Sequence, residues 1–163
     1  MTQTTESWRA DVAAVLDELK TLPGAMLPIL HAIQDRVGYV PPEAVPEIAH
    51  ALNLSRAEVH GVITFYHHFR QHPAGEHVVR ICRAEACQAV GADALVDHAC
   101  RTLGVEFHGT TGDGAVTLEP VYCLGNCALS PAILVDNELF GAVTPERFDE
   151  IIADVRAGVV SPS

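Results

Sequence analysis

The sequence predicts an α/β protein in two parts: an N-terminal four-helix bundle over residues 1–72, then a small α/β sandwich over residues 73–163. Three observations predict it. Apolar residues recur at helical spacing throughout the first part. From about His77 the pattern changes to short apolar runs interleaved with helical stretches. Between the two lies "RQHPAGEH", a polar segment with Pro and Gly that reads as a linker.

In the first part, "SWRADVAAVLDELKTLPG" places Trp8, Val12, Val15, Leu16 and Leu19 on one helical face, and Pro23 and Gly24 end the run. "AMLPILHAIQDRVGY" repeats the pattern with Leu27, Leu30, Ile33 and Val37, and Gly38 supplies a C-terminal stop. "PPEAVPEIAHALN" carries Pro at helix starts, which predicts one short helix from about Pro46 or two broken turns. "SRAEVHGVITFYHHF" opens with Ser55 and Glu58 spaced as a capping box, where each side chain satisfies the other's free backbone N–H.

In the second part, "HVVRICR" reads as a strand and "GADALVDHACRTLG" as a helix stopped by Gly104. "AVTLEPVYC" reads as another strand, and "AILVDNELFGAV" as a hairpin turning at Asp136-Asn137. "TPERFDEIIADVRAG" reads as a final helix with Thr144 as N-cap and Pro145 at its first position. The order β-α-β-β-α fits a small sandwich of the thioredoxin type. The tail "VVSPS" is expected to fray.

At 163 residues and 48% hydrophobic content, the chain can bury a core. Its formal net charge of −11 argues against a nucleic-acid surface, which needs clustered Lys and Arg to neutralise phosphate, and against an anionic membrane. The N-terminal "MTQTTESWRADVAAVL" lacks the basic start and apolar run of a signal peptide, and no apolar stretch reaches membrane-spanning length. These features predict a cytoplasmic protein, whose thiols stay reduced and whose cysteine spacing points to metal or catalysis rather than disulfides.

Cys82 and Cys87 form C-x4-C at the end of the first strand of the second part, and Cys123 and Cys127 form C-x3-C after a later strand. A sandwich can bring two such loops to one edge and set four thiolates about one place. Cys100, in mid-helix, reads as a small packing residue. Zinc and a [2Fe–2S] cluster both suit four thiolates. Structural zinc favours C-x2-C knuckles, and the wider spacings here suit a larger object, yet spacing alone leaves the two open. A Rieske centre would need His in place of two Cys, and no His lies in Cys-x-His spacing, the nearest being His98 on the helix with Cys100; a thiol oxidoreductase would need C-x-x-C, which is absent. "GTTGDGAV" lacks the third Gly and following helix of a dinucleotide fingerprint, and reads as a β-turn.

The whole pattern, C-x4-C, 35 residues and C-x3-C, resembles the thioredoxin-like [2Fe–2S] ferredoxin subunit of NADH dehydrogenases, the 24 kDa subunit. NAD-reducing hydrogenases and NAD-dependent formate dehydrogenases carry the same module. The helical part agrees through "GYVP" and "EVHGVITFY", so the resemblance runs from about Pro23 to Val155. "RAEACQAVGADAL" and "VYCLGNCALSPAILVD" are most similar to the gamma subunit of soluble molybdenum- or tungsten-containing formate dehydrogenases.

The resemblance implies that Cys82, Cys87, Cys123 and Cys127 ligate one [2Fe–2S] cluster in a non-catalytic electron-transfer subunit. It implies two partners, an FMN- and NAD-binding subunit and a molybdenum- or tungsten-containing iron–sulfur subunit. The same cluster in an NADH-quinone oxidoreductase or NAD-reducing hydrogenase is the nearest alternative. A zinc-stabilised interaction module is the alternative of another class. Burying a cluster's negative charge requires backbone N–H groups aimed at the sulfurs, with Gly91, Gly125 and small Ala84, Ala86 and Ala128 letting the backbone approach. Arg83, inside the first pair, either eases reduction by its charge or sits exposed on the loop.

Overall fold

The computed structural model describes residues 7–159; the tail from Val160, expected to fray, lies outside the described residues. The chain divides into two compact units, one up to Pro73 and one from Ala74.

The first unit is helical: α1 (Ser7–Leu19), α2 (Met26–Val37), α3 (Val45–Leu52) and α4 (Arg56–Phe65). The stripe read from the sequence is its core. Trp8, Val12, Val15 and Leu16 of α1 pack with Ile29, Leu30 and Ile33 of α2, Ile48 and Ala49 of α3, and Val59 and Ile63 of α4. Each large aliphatic side chain so buried contributes roughly 1.5–3 kcal/mol. Gly38 stops α2 at φ 91°, a left-handed conformation that costs other residues a Cβ clash. Pro42 opens a short 3₁₀ turn (Pro42–Ala44) before α3 rather than a helix of its own. The Ser55–Glu58 capping box is present in full. Gln34 carries no signal in the sequence pattern, because a polar residue on an apolar stripe reads as an interruption. It is buried and ties α2 to the chain beyond α4, donating to the His68 carbonyl at 2.9 Å and accepting from Arg70 N–H at 2.7 Å.

The second unit is a four-stranded sheet with helices. In chain order it has β1 (His77–Cys82), α5 (Glu85–Ala89), α6 (Ala92–Leu103), β2 (Val116–Val121), β3 (Ile133–Val135), β4 (Glu138–Phe140) and α7 (Pro145–Arg156). The strand order is β2-β1-β3-β4, with β1 parallel to β2 and antiparallel to β3. Pro120 is tolerated because β2 is an edge strand and that position need not donate to a further neighbour. The hairpin turns at Asp136-Asn137, with Asp136 at φ 52°. Thr144 caps α7 through the Arg147 N–H. "GTTGDGAV" forms the expected turn, closed by Gly114 N–H to the Thr111 carbonyl at 2.8 Å. The core joins Val79 and Ile81 of β1, Leu118 of β2, Ile133 of β3, Leu95 of α6 and Phe148 and Ile151 of α7.

A part-buried polar pair fixes the start of β1. Asp136 accepts from the Val78 N–H at 2.8 Å and lies 2.8 Å from Nδ1 of the buried His77. No helix among the described residues is long and apolar enough to cross a membrane.

Candidate iron–sulfur site

The site follows from the parallel pairing of β1 and β2. In that register Cys82 lies opposite Val121, so both strands end at the same edge of the sheet. Two loops therefore leave from one place. The first carries Arg83 to Gly91 and includes α5. The second runs from Tyr122 to Ala132 and returns beside its origin, since the Cys82 N–H donates to the Ala132 carbonyl at 3.0 Å and the Arg83 N–H to the Val121 carbonyl at 2.7 Å. Cys82 thus stands between the start and the end of the loop that holds Cys123 and Cys127.

The sequence places both cysteine pairs in strand-to-loop transitions. Cys87 instead lies in α5, a five-residue helix within the C-x4-C segment. The helix is too short for a periodic apolar signal. It turns Cys87 inward, and the Gln88 side chain closes it by donating to the Arg83 carbonyl at 2.8 Å. Cys82 and Cys87 are buried together with Ala92 and Ala132, and Ala84, Val121 and Leu124 pack around them.

The second pair is exposed. Cys127 opens a 3₁₀ turn (Cys127–Leu129), and the Leu129 carbonyl accepts from the Ala142 N–H at 2.6 Å. Gly141 is the contact that lets this loop lie close to β4. A Cβ there would stand 2.6 Å from Leu129 Cβ and 2.7 Å from Asn126 Nδ2. Gly125 adopts φ 73°, which turns the backbone so that its N–H reaches Cys123 Sγ at 3.3 Å. The Ser130–Pro131 bond is cis.

The sulfurs collect backbone donors. Besides Gly125 on Cys123, the N–H groups of Ala84 and Leu124 face Cys82 and that of Ala132 faces Cys87. Burial pushes the Cys82 thiol up, and the neighbouring Cys87 adds to the rise. Burial acts on Cys87 in the same sense, but hydrogen bonds from Ser130, Ala132 and Cys82 outweigh it and hold that thiol below its ordinary range. Cys100 stands apart on α6, half-buried against the sheet core, with its thiol raised by burial and by Glu106.

Arg83 reaches away along the first loop. Its guanidinium bonds Asp93 at 3.0 Å and lies 5.8 Å from the Phe107 ring centre. Its Nε is buried without a partner among the described residues.

The donor set suits a soft metal group. All five cysteines are free; Cys82 and Cys87 are buried in one cluster, and Cys123 and Cys127 are exposed. Cys82, Cys87, Cys123 and Cys127 could supply the four thiolates that a [2Fe–2S] cluster takes. Peptide N–H groups aimed at sulfur offset the negative charge such a group brings.

Fold and donor set together define a class: a small α/β domain whose sheet edge presents thiols and amide donors to a thiolate-ligated metal group. The chain belongs to the thioredoxin-like [2Fe–2S] ferredoxin family, whose pattern it matches over residues 12–156. It is 33% identical to an NADH-quinone oxidoreductase subunit of Pseudomonas aeruginosa over 147 residues, which are 90% of this chain and 89% of that protein. It is 31% identical to the NADP-reducing hydrogenase subunit HndA of Solidesulfovibrio fructosivorans, over 88% of this chain and 84% of that one. A crystal structure of an NAD+-reducing [NiFe]-hydrogenase shares the fold, with a TM-score of 0.66 and 23% identity, over 86% of this chain. The chain spans 24% of that hydrogenase chain.

Proposed function

We propose that this chain is a non-catalytic electron-transfer subunit of an NAD-linked multi-subunit oxidoreductase. Cys82, Cys87, Cys123 and Cys127 hold its [2Fe–2S] cluster. The observation that supports the reading is the loop from Tyr122 to Ala132, whose two ends lie beside Cys82 and whose Ser130 hydroxyl lies 3.5 Å from Cys87 Sγ. Residues 1–72 form the helical domain and residues 73–163 the cluster domain.

A bound cluster of this kind accepts and returns one electron at a time without making or breaking bonds to substrate. The residues of this chain hold and insulate it. Cys82 and Cys87 would hold the cluster from the buried side, and Cys123 and Cys127 from the exposed loop. Ala84, Leu124, Gly125 and Ala132 direct N–H dipoles at the sulfurs, which lowers the cost of the added charge. Ala92, Val121 and Leu124 keep water from the buried side.

The host we propose is a cytoplasmic NAD-dependent formate dehydrogenase, with an FMN- and NAD-binding subunit and a molybdenum- or tungsten-containing iron–sulfur subunit as partners. Support comes from the likeness of "RAEACQAVGADAL" and "VYCLGNCALSPAILVD" to that enzyme's gamma subunit. A second reading keeps the cluster and places the chain in an NADH-quinone oxidoreductase or a pyridine-nucleotide-reducing hydrogenase, as the names of its relatives favour. Purification of the native assembly through a tag on this chain separates them. Formate-driven NAD reduction by the purified complex supports the first host. Activity only with quinone or with hydrogen, and no molybdenum or tungsten, rejects it.

A further inference from the structure

Ser130 follows the second cysteine pair in sequence, yet its hydroxyl touches the first. Oγ lies 2.9 Å from the Cys127 carbonyl oxygen and 3.5 Å from Cys87 Sγ, a bonding separation for the larger sulfur atom. It closes the 3₁₀ turn at Cys127 and holds an extended backbone at φ −74° and ψ 149°. Ser130 therefore joins the two loops by a side chain as well as by the backbone.

A hydroxyl carries one proton to donate. While Cys87 is a thiol, its S–H can donate to Oγ, and the hydroxyl proton goes to the Cys127 carbonyl. Both groups are then satisfied. A metal-bound Cys87 has no S–H and is an acceptor only. Its sulfur and the Cys127 carbonyl then compete for the single hydroxyl proton. A donor gains more from an acceptor of greater negative charge, and the thiolate ligands carry more charge once an electron has been added. The Cys127 carbonyl lies on an exposed turn, where water can replace the hydroxyl.

We infer that the Ser130 hydroxyl donates to the Cys87 sulfur in the reduced centre and sets its reduction potential. The inference rests on the proposed ligand set. One electron enters, no bond to the protein breaks, and the proton stays on Oγ while the hydroxyl turns from the carbonyl to the sulfur. Because the donor favours the reduced form, its loss shifts the potential to more negative values. Ser130 is a positioning residue: it acts on the metal group through Cys87.

Ser130→Thr and Ser130→Val test this, because they share a shape and differ in the hydroxyl. The potential of the whole chain, purified without oxygen, is read by dye-mediated titration followed through visible absorption and EPR. The threonine variant is expected to stay near the unmodified chain and the valine variant to shift negative. Equal potentials in the two, with iron and sulfide intact, would overturn the inference. If the valine variant loses its cluster, Ser130→Ala against the unmodified chain is read the same way. An unmodified chain without iron and sulfide would instead reject the ligand reading on which the inference stands.

Discussion

The two cysteine pairs occupy opposite surroundings. Cys82 and Cys87 are 3% and 2% exposed and pack among small apolar side chains, whereas Cys123 and Cys127 are exposed on a loop. The first pair is placed by the fold. Cys82 is the last residue of a central strand, and Cys87, in α5, packs with Ala92 of α6. The second pair is placed by a loop whose path depends on two glycines and on hydrogen bonds to its neighbours. Under the proposed ligand set, one half of the site lies in the core and the other half on an exposed loop.

Removing single members of the proposed ligand set is the largest perturbation of this comparison. Cys82→Ala or Cys87→Ala is expected to abolish cluster binding and to cost the cluster-free chain about 1–2 kcal/mol, since each leaves a cavity in packed surroundings. Cys123→Ala or Cys127→Ala is expected to lose the cluster equally but to change cluster-free stability by no more than about 0.5 kcal/mol, as for other exposed positions. Iron assay and urea unfolding read both. Equal stability losses for the two pairs would erase the distinction between them.

Gly141→Ala sharpens the dependence of the second pair on its loop. The new methyl would meet Leu129 and Asn126 below 3.0 Å, so the loop must move. The expected cost is about 1–3 kcal/mol of stability, with reduced iron retention, by denaturation and iron assay. An unchanged iron content would show that the loop needs no such anchoring.

Alkylation compares access directly. In the cluster-free chain, iodoacetamide should modify Cys123 and Cys127 well before Cys82 and Cys87, as peptide mass spectrometry would report. After reconstitution all four should resist. Early labelling of Cys87 would contradict its burial.

The smallest effect is expected at Cys100. It packs half-buried against the sheet core, away from both loops. Cys100→Ser should leave iron content and spectrum unchanged. Loss of the cluster in this variant would remove the proposed ligand set.

Much of this organisation is legible in the sequence, because the helices and strands obey simple rules. Trp8, Val12 and Val15 recur at helical spacing, Ser55 and Glu58 form a capping box, and Asp136-Asn137 turns a hairpin. The site is legible as four cysteines in two spaced pairs. Their unequal burial is not. It depends on α5, a helix too short to show a period, and on the parallel register that sets Cys82 opposite Val121. Gly141 and Ser130 are also silent in sequence. Their roles arise from contacts across the fold, to Leu129 in one case and to Cys87 in the other.

The most direct test is EPR of the anaerobically purified chain before and after dithionite, with iron and sulfide counted on the same sample. The expected result is a reddish protein with about two iron and two sulfide per chain, silent when oxidised and giving a signal when reduced. A colourless chain holding one zinc, with no sulfide and no signal, would contradict it.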